Sequence, residues 1–112
     1  MLHYDTTLFT LPSSSSAYDA LAKIESNATG TVLVVEADSN KVLGVVTDGD
    51  IRKHLLDHRM LTAPIVHLMN QFFVYAQSSE EQDLRDIFSI NPFVRLLPVV
   101  DSDNKLVAVA TP

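Results

Sequence analysis

The chain has no cysteine, which at once excludes thiolate metal centres, disulfides and cysteine nucleophiles. Glycine is scarce: Gly30, Gly44 and Gly49 are the three present, too few for a glycine-rich phosphate loop. No apolar run approaches the roughly 20 residues of a membrane-spanning helix, and the first residues lack the basic-then-apolar order of a secretion signal. We therefore expect a cytoplasmic location and no membrane partner. Positive charge is also short, since 8 Lys and Arg against 14 Asp and Glu leave a formal charge of −6. That is the wrong sign for holding nucleic acid by its phosphates, so no nucleic-acid partner is expected. A small anionic ligand, which needs only local positive charge, stays open. What is there in quantity is apolar: 46% hydrophobic and 20% charged residues in a chain of 112 describe a folded globular unit. That length gives room for one modest core, or for two small repeats sharing one.

Leu2 to Pro12 reads as a lead-in with a short strand around Leu8 to Thr10. Ala17, Ala20, Leu21 and Ile24 share one helical face. The serines before them are cap candidates, Ser16 with Asp19 forming a loose capping box. Asn27 to Gly30 supplies the stop, with Gly30 suited to the left-handed conformation. Thr31 to Glu36 is a strand, Ala37 to Asn40 a turn, Lys41 to Thr47 the return strand, and Asp48 to about Arg59 a second helix. After a join at Met60 to Pro64 the order restarts. Ile65 to Met69 leads in, Phe72 to Ala76 is a strand, and Ser78 to Glu81 fits a capping box better than its counterpart. Leu84, Ile87 and Phe88 form a helix face ended by Asn91-Pro92. Leu96 to Asp101, Ser102 to Asn104 and Lys105 to Thr111 give strand, turn and strand. Asn40 to Thr47 overlays Asn104 to Thr111 at a separation of 64, so the halves are repeats that bury together what neither buries alone. We read 1–60 as the first repeat and 61–112 as the second. The expected fold class is α/β (α+β), two β-α-β-β-α repeats with the second lacking its last helix. Ala108 stands where the first copy has Gly44, and nothing matches Asp50. The uncovered sheet face suggests a polypeptide cut from something longer.

The centre of the chain is Gly44-Val45-Val46-Thr47-Asp48-Gly49-Asp50-Ile51-Arg52. Valines of strand type give way at Ile51, Leu55 and His58 to helical spacing. Asp48 reads as the N-cap and Gly49 as the residue allowing a sharp turn. Thr47 and Asp50 then face one crevice. An acid in the first helical turn meets the positive end of the helix dipole. Equally, an ionised carboxylate, which only accepts hydrogen bonds, suits the paired hydroxyls of a ribose.

This stretch resembles the G-h-h-T-x-x-D-h signature that closes a CBS domain, the module named after cystathionine β-synthase. Leu97-Pro98-Val99-Val100-Asp101, the lead-in ending at Met69 and the internal repeat extend the resemblance to a tandem CBS pair over nearly the whole chain. The resemblance implies a non-catalytic regulatory module holding an adenine nucleotide (AMP, ADP or ATP) or S-adenosylmethionine between its repeats, often as a homodimer and with no cofactor. By family position the ligand would meet Thr47, Asp50, Gly30, Thr31, Ile65, Val94 and Arg95. Arg95 would balance phosphate, or else is a solvated surface charge. The equivalent second cleft lacks its acid, so at most one competent site is expected. The wording Thr-Asp-Gly-Asp-Ile-Arg is similar to CBS pairs attached to sugar nucleotidyltransferases and arabinose-5-phosphate isomerases. With Met1 opening the chain, a place ahead of a nucleotidyltransferase is the expectation.

Other chemistry is thinly supported. His54 and His58 stand at i, i+4 but lack a third ligand of fitting spacing, so no metal is expected. The serine run offers no arguable Ser-His-Asp set, and no catalytic residue is expected. Phe72, Phe73, Tyr75, Phe88 and Phe93 read as core rather than a stacking platform, because accompanying basic residues are absent. The alternative to a nucleotide sensor is a structural dimerisation module without a functional ligand site.

Overall fold

The valine-rich runs do build the centre of the molecule, as two three-stranded sheets. The computed structural model describes residues 1–58 and 60–112, so the expected helix end at Arg59 lies outside the described residues. Strands β1 (Leu2–His3), β2 (Thr10–Pro12), β3 (Thr31–Val35), β4 (Val42–Thr47), β5 (Leu97–Val100) and β6 (Leu106–Ala110) alternate with helices α1 (Ala17–Asn27), α2 (Asp48–His58) and α3 (Glu81–Ile90). The sheet orders are β2-β3-β4 and β1-β6-β5.

Each sheet is buried on two sides, which is why its strands read as continuous apolar runs rather than as alternating ones. Val32 and Val34 face α1 and α2 with Ala20, Ile24, Val46 and Ile51. Leu33, Val35 and Val42 meet Leu96, Val100, Leu106 and Val109 of the other repeat. That shared core ties the halves together, each fully buried Val or Leu contributing about 1.5–3 kcal/mol. A third cluster under α3 joins Leu84 to Leu97, Val99, Ala108 and Ala110. Bulges between Val34 and Val35, and between Val99 and Val100, shift both registers at the same place in the repeat. The first of them turns Val42 toward the shared core and Val46 toward the helices.

The lead-ins cross over. Asn70, in the lead-in of the second repeat, pairs with Val45 of β4 through Asn70 N to Val45 O (2.8 Å) and Val45 N to Asn70 O (3.0 Å). Conversely β1 pairs antiparallel with β6. Leu2–His3 carries no strand signal of its own, because two residues are too few for a period. The hairpin tips also meet: Leu106 N donates to Asn40 O (2.9 Å) and Val42 N to Asn104 O (3.0 Å).

Several local expectations change. Thr7–Phe9 is a 3₁₀ turn, and the strand begins only at Thr10. The Ser16 box is complete, with Asp19 N donating to Ser16 Oγ and Ser16 N to Asp19 Oδ2. At Ser78 to Glu81 there is none: Glu80 is the cap residue without a side-chain bond, and Ser78 Oγ accepts the Glu80 N–H. Ala28, not Gly30, takes the left-handed cap of α1, at φ 58°. Gly30 follows at φ 74°. Phe72 to Ala76 is no strand; Ala76 alone bridges to Val99. The join does its own work, since Leu61 and Ala63 carbonyls accept the Tyr18 and Ala17 N–H groups that open α1.

Candidate functional site

β4 runs without a loop into α2, and the residue at the change is Thr47 rather than Asp48. Thr47 Oγ1 accepts the Asp50 N–H (3.2 Å), while Asp50 Oδ2 accepts from Thr47 N (2.8 Å) and Thr47 Oγ1 (2.9 Å). With Asp50 three residues into the helix, this is a reciprocal capping box. Asp48 lies inside the first turn and pairs with Arg52 at 2.7 Å, an exposed i, i+4 pair. Gly49 is helical with φ outside the positive region, so no sharp turn depends on it. Ile51 and Leu55 pack into the core as expected, whereas His58 is exposed.

Thr47 sits beside Thr31 across the β3–β4 ladder. Both line a cavity of about 190 Å³ whose far wall comes from the second repeat, through Val94 and Arg95, and whose rim carries Asn70, Phe72 and Phe93. Hydroxyls on one side and a guanidinium on the other suit a ligand with sugar or phosphate oxygens. Arg95 is exposed and makes no salt bridge among the described residues.

Four of the seven expected residues, Thr31, Thr47, Val94 and Arg95, therefore meet in one cavity. Asp50 is outside that lining, half-buried, with Oδ2 committed to the cap and its other oxygen unbonded among the described residues. Gly30 stands one residue outside the lining and fixes the turn, its carbonyl accepting the Asp48 N–H at 2.9 Å. Ile65 is wholly buried in the core under α1 and α2, outside that lining. Phe72 and Phe93 are a correction, being 91% and 95% exposed rather than core. Asn27 does more than stop the helix. Its amide holds the loop before β3, accepting from Thr29 N and Oγ1 and donating to Thr31 O. Asn70, whose backbone the crossing lead-in brings to β4, was also missed; only the pairing, not the sequence, carries that signal. The rings of His54 and His58 lie 4.9 Å apart, but among the described residues no group of three ligating side chains could hold a metal ion.

Two repeated sheets with exchanged lead-ins, and a threonine-capped helix at their junction, are the architecture of CBS-domain proteins. Residues 4–57 match the CBS domain family model. It is 33% identical over 94 residues to the arabinose 5-phosphate isomerase GutQ of Escherichia coli K12, covering 83% of this chain and 29% of that protein. The chain thus spans about three tenths of the length of the curated relatives it matches. Staphylococcus aureus OpuCA has the same fold, with a TM-score of 0.72 and 28% identity over 92% of this chain and 84% of that one. The structure of CBSX2 in complex with AMP superposes with a TM-score of 0.74 at 24% identity, covering 98% of this chain and 85% of that one.

Proposed function

We propose that this chain is a regulatory module that binds an adenine nucleotide in the cavity between its repeats and reports occupancy to an attached enzyme. The observation that carries the reading is the convergence of Thr31 and Thr47 from one repeat with Arg95 from the other on a single cavity. A ligand touching both halves favours one arrangement of them, which is what transmission to a partner domain requires. The AMP bound to CBSX2 supports the choice of ligand class. In this reading the free oxygen of Asp50 accepts from ribose, and Arg95 meets the phosphate. The identity to GutQ supports a sugar-phosphate isomerase as the attached enzyme, with a sugar nucleotidyltransferase as the other proposal.

Titration calorimetry with AMP, ADP, ATP and S-adenosylmethionine tests this. Arg95→Gln should weaken the bound nucleotide about 10- to 100-fold, the loss expected for a hydrogen bond to a charged group. No binding below millimolar, or an Asp50→Ala variant that binds as the parent does, overturns the reading. A second reading, a homodimerisation module with an empty cavity, is favoured by the exposure of Leu56 (83%) and Met60 (56%). It requires a dimer by sedimentation whose melting no nucleotide changes.

A further inference from the structure

The turn that delivers Thr31 to the cavity is held by a single side chain. Asn27 ends α1, and its half-buried carboxamide uses all four of its hydrogen-bonding positions. Oδ1 accepts from Thr29 N (2.9 Å) and Thr29 Oγ1 (2.9 Å), while Nδ2 donates to Thr31 O (3.0 Å) and to Leu8 O (3.3 Å). The Thr29 hydroxyl also accepts the Thr31 N–H at 3.3 Å and stands 3.0 Å from Thr31 O. Reversing the carboxamide would set Nδ2 against the Thr29 N–H and Oδ1 against two carbonyls, so the network itself fixes its orientation. The backbone needs such holding. Ala28 and Gly30 are both left-handed, at φ 58° and 74°, and the Cβ of an alanine disfavours that conformation. What the turn fixes lies in the cavity wall. Thr31 pairs with Thr47 across the β3–β4 ladder, and the Gly30 carbonyl takes the Asp48 N–H of the first turn of α2 at 2.9 Å. Both Thr31 and Thr47 line the cavity, whereas Asn27 and Thr29 stand outside the lining.

We infer that Asn27, acting through Thr29, is the positioning residue of this cavity: it sets the Thr31 hydroxyl and, through Gly30, the start of α2 at the spacing that a ligand's oxygens require. The inference rests on the nucleotide reading above. Because neither residue lines the cavity, the effect is one of preorganisation, in which a wall already in place costs nothing to arrange at the moment of binding. Asn27 also ties the lead-in to the site, since Leu8 belongs to the 3₁₀ turn ahead of β2. An aspartate at this position has the same shape and keeps the two bonds from Thr29. Its second oxygen, however, faces the Leu8 and Thr31 carbonyls with no proton to give.

Calorimetry with AMP tests this on the full chain, at a temperature where circular dichroism shows every variant folded, so that lost stability alone does not alter affinity. Asn27→Asp and Thr29→Val should each weaken AMP about 3- to 10-fold, the loss expected per hydrogen bond. Thr29→Ser, which keeps the hydroxyl, should bind as the parent does. So should Asn104→Gly, which loses a bond to Val42 O outside the cavity. If AMP does not bind the parent, the nucleotide reading falls and this inference with it. If AMP binds the parent and binds Asn27→Asp and Thr29→Val equally well, this inference alone falls. It also falls if Thr29→Ser is as weak as Thr29→Val, or if Asn104→Gly loses as much as Asn27→Asp, since either result makes the network a matter of folding alone. Should Asn27→Asp fail to fold, the two Thr29 variants decide by themselves.

Discussion

Gly44 and Gly49 stand in one short motif and make opposite demands. A Cβ on Gly44 would lie 2.9 Å from the Asn70 carbonyl and 3.0 Å from Met69 Cγ and Sδ, where the second repeat's lead-in crosses β4. Backbone that is paired on both sides has little room to retreat, so Gly44→Ala should destabilise the fold by about 1–3 kcal/mol, the usual cost of overpacking. Because Asn70 borders the cavity, ligand affinity should fall with it. A Cβ on Gly49 meets nothing nearer than Thr47 Oγ1 at 3.7 Å, and the residue is already helical. Gly49→Ala should therefore stabilise by about 0.5–1 kcal/mol through the unfolded chain. Urea denaturation of the two variants decides both, and a loss of stability at Gly49 would show that its conformation is strained after all.

The hairpin tips carry the contact between repeats at the scale of elements. Asn40 and Asn104 both adopt left-handed backbone, φ 61° and 65°, and each reaches across to the other hairpin. Asn40 Nδ2 donates to Leu106 O at 3.0 Å and Asn104 Nδ2 to Val42 O at 2.9 Å. Asn104→Gly keeps the backbone and loses the bond, a cost of about 0.5–1.5 kcal/mol. Asn104→Ala adds the left-handed penalty of about 1–2 kcal/mol. The expected order of denaturation midpoints is parent, Asn104→Gly, Asn104→Ala; an Ala variant as stable as the Gly variant would remove the conformational part of the argument. This clasp also shows what was legible beforehand. Overlaying Asn40 on Asn104 revealed the duplication, and the valine runs revealed the sheets, because burial on both faces leaves a composition that reads directly. Which hairpin reaches for which was not legible, since the contact is between residues far apart in the chain. The same holds for the cavity: Thr47 and Arg95 stand out by side-chain chemistry, but Asn70, Phe72 and Phe93 are brought to the rim by strand crossing and turn geometry.

Across the whole molecule the pseudo-twofold relation is broken at the second cleft. Thr111 is the counterpart of Thr47, and its hydroxyl lies 3.2 Å from His3 Nε2. The His3 ring in turn packs against Phe9, with centroids 5.0 Å apart. β1, by pairing with β6, lays the first residues of the chain along the very strand that would border a second ligand. An imidazole already stacked and bonded there must be displaced before a nucleotide enters. Calorimetry with AMP should therefore give one site per chain. At a ligand concentration a hundred times the dissociation constant, a single site stabilises the folded state by about 2.7 kcal/mol. Two sites would double the increment. A fitted stoichiometry of two in the parent would mean that β1 detaches at little cost, which the paired strand and the His3 contacts oppose.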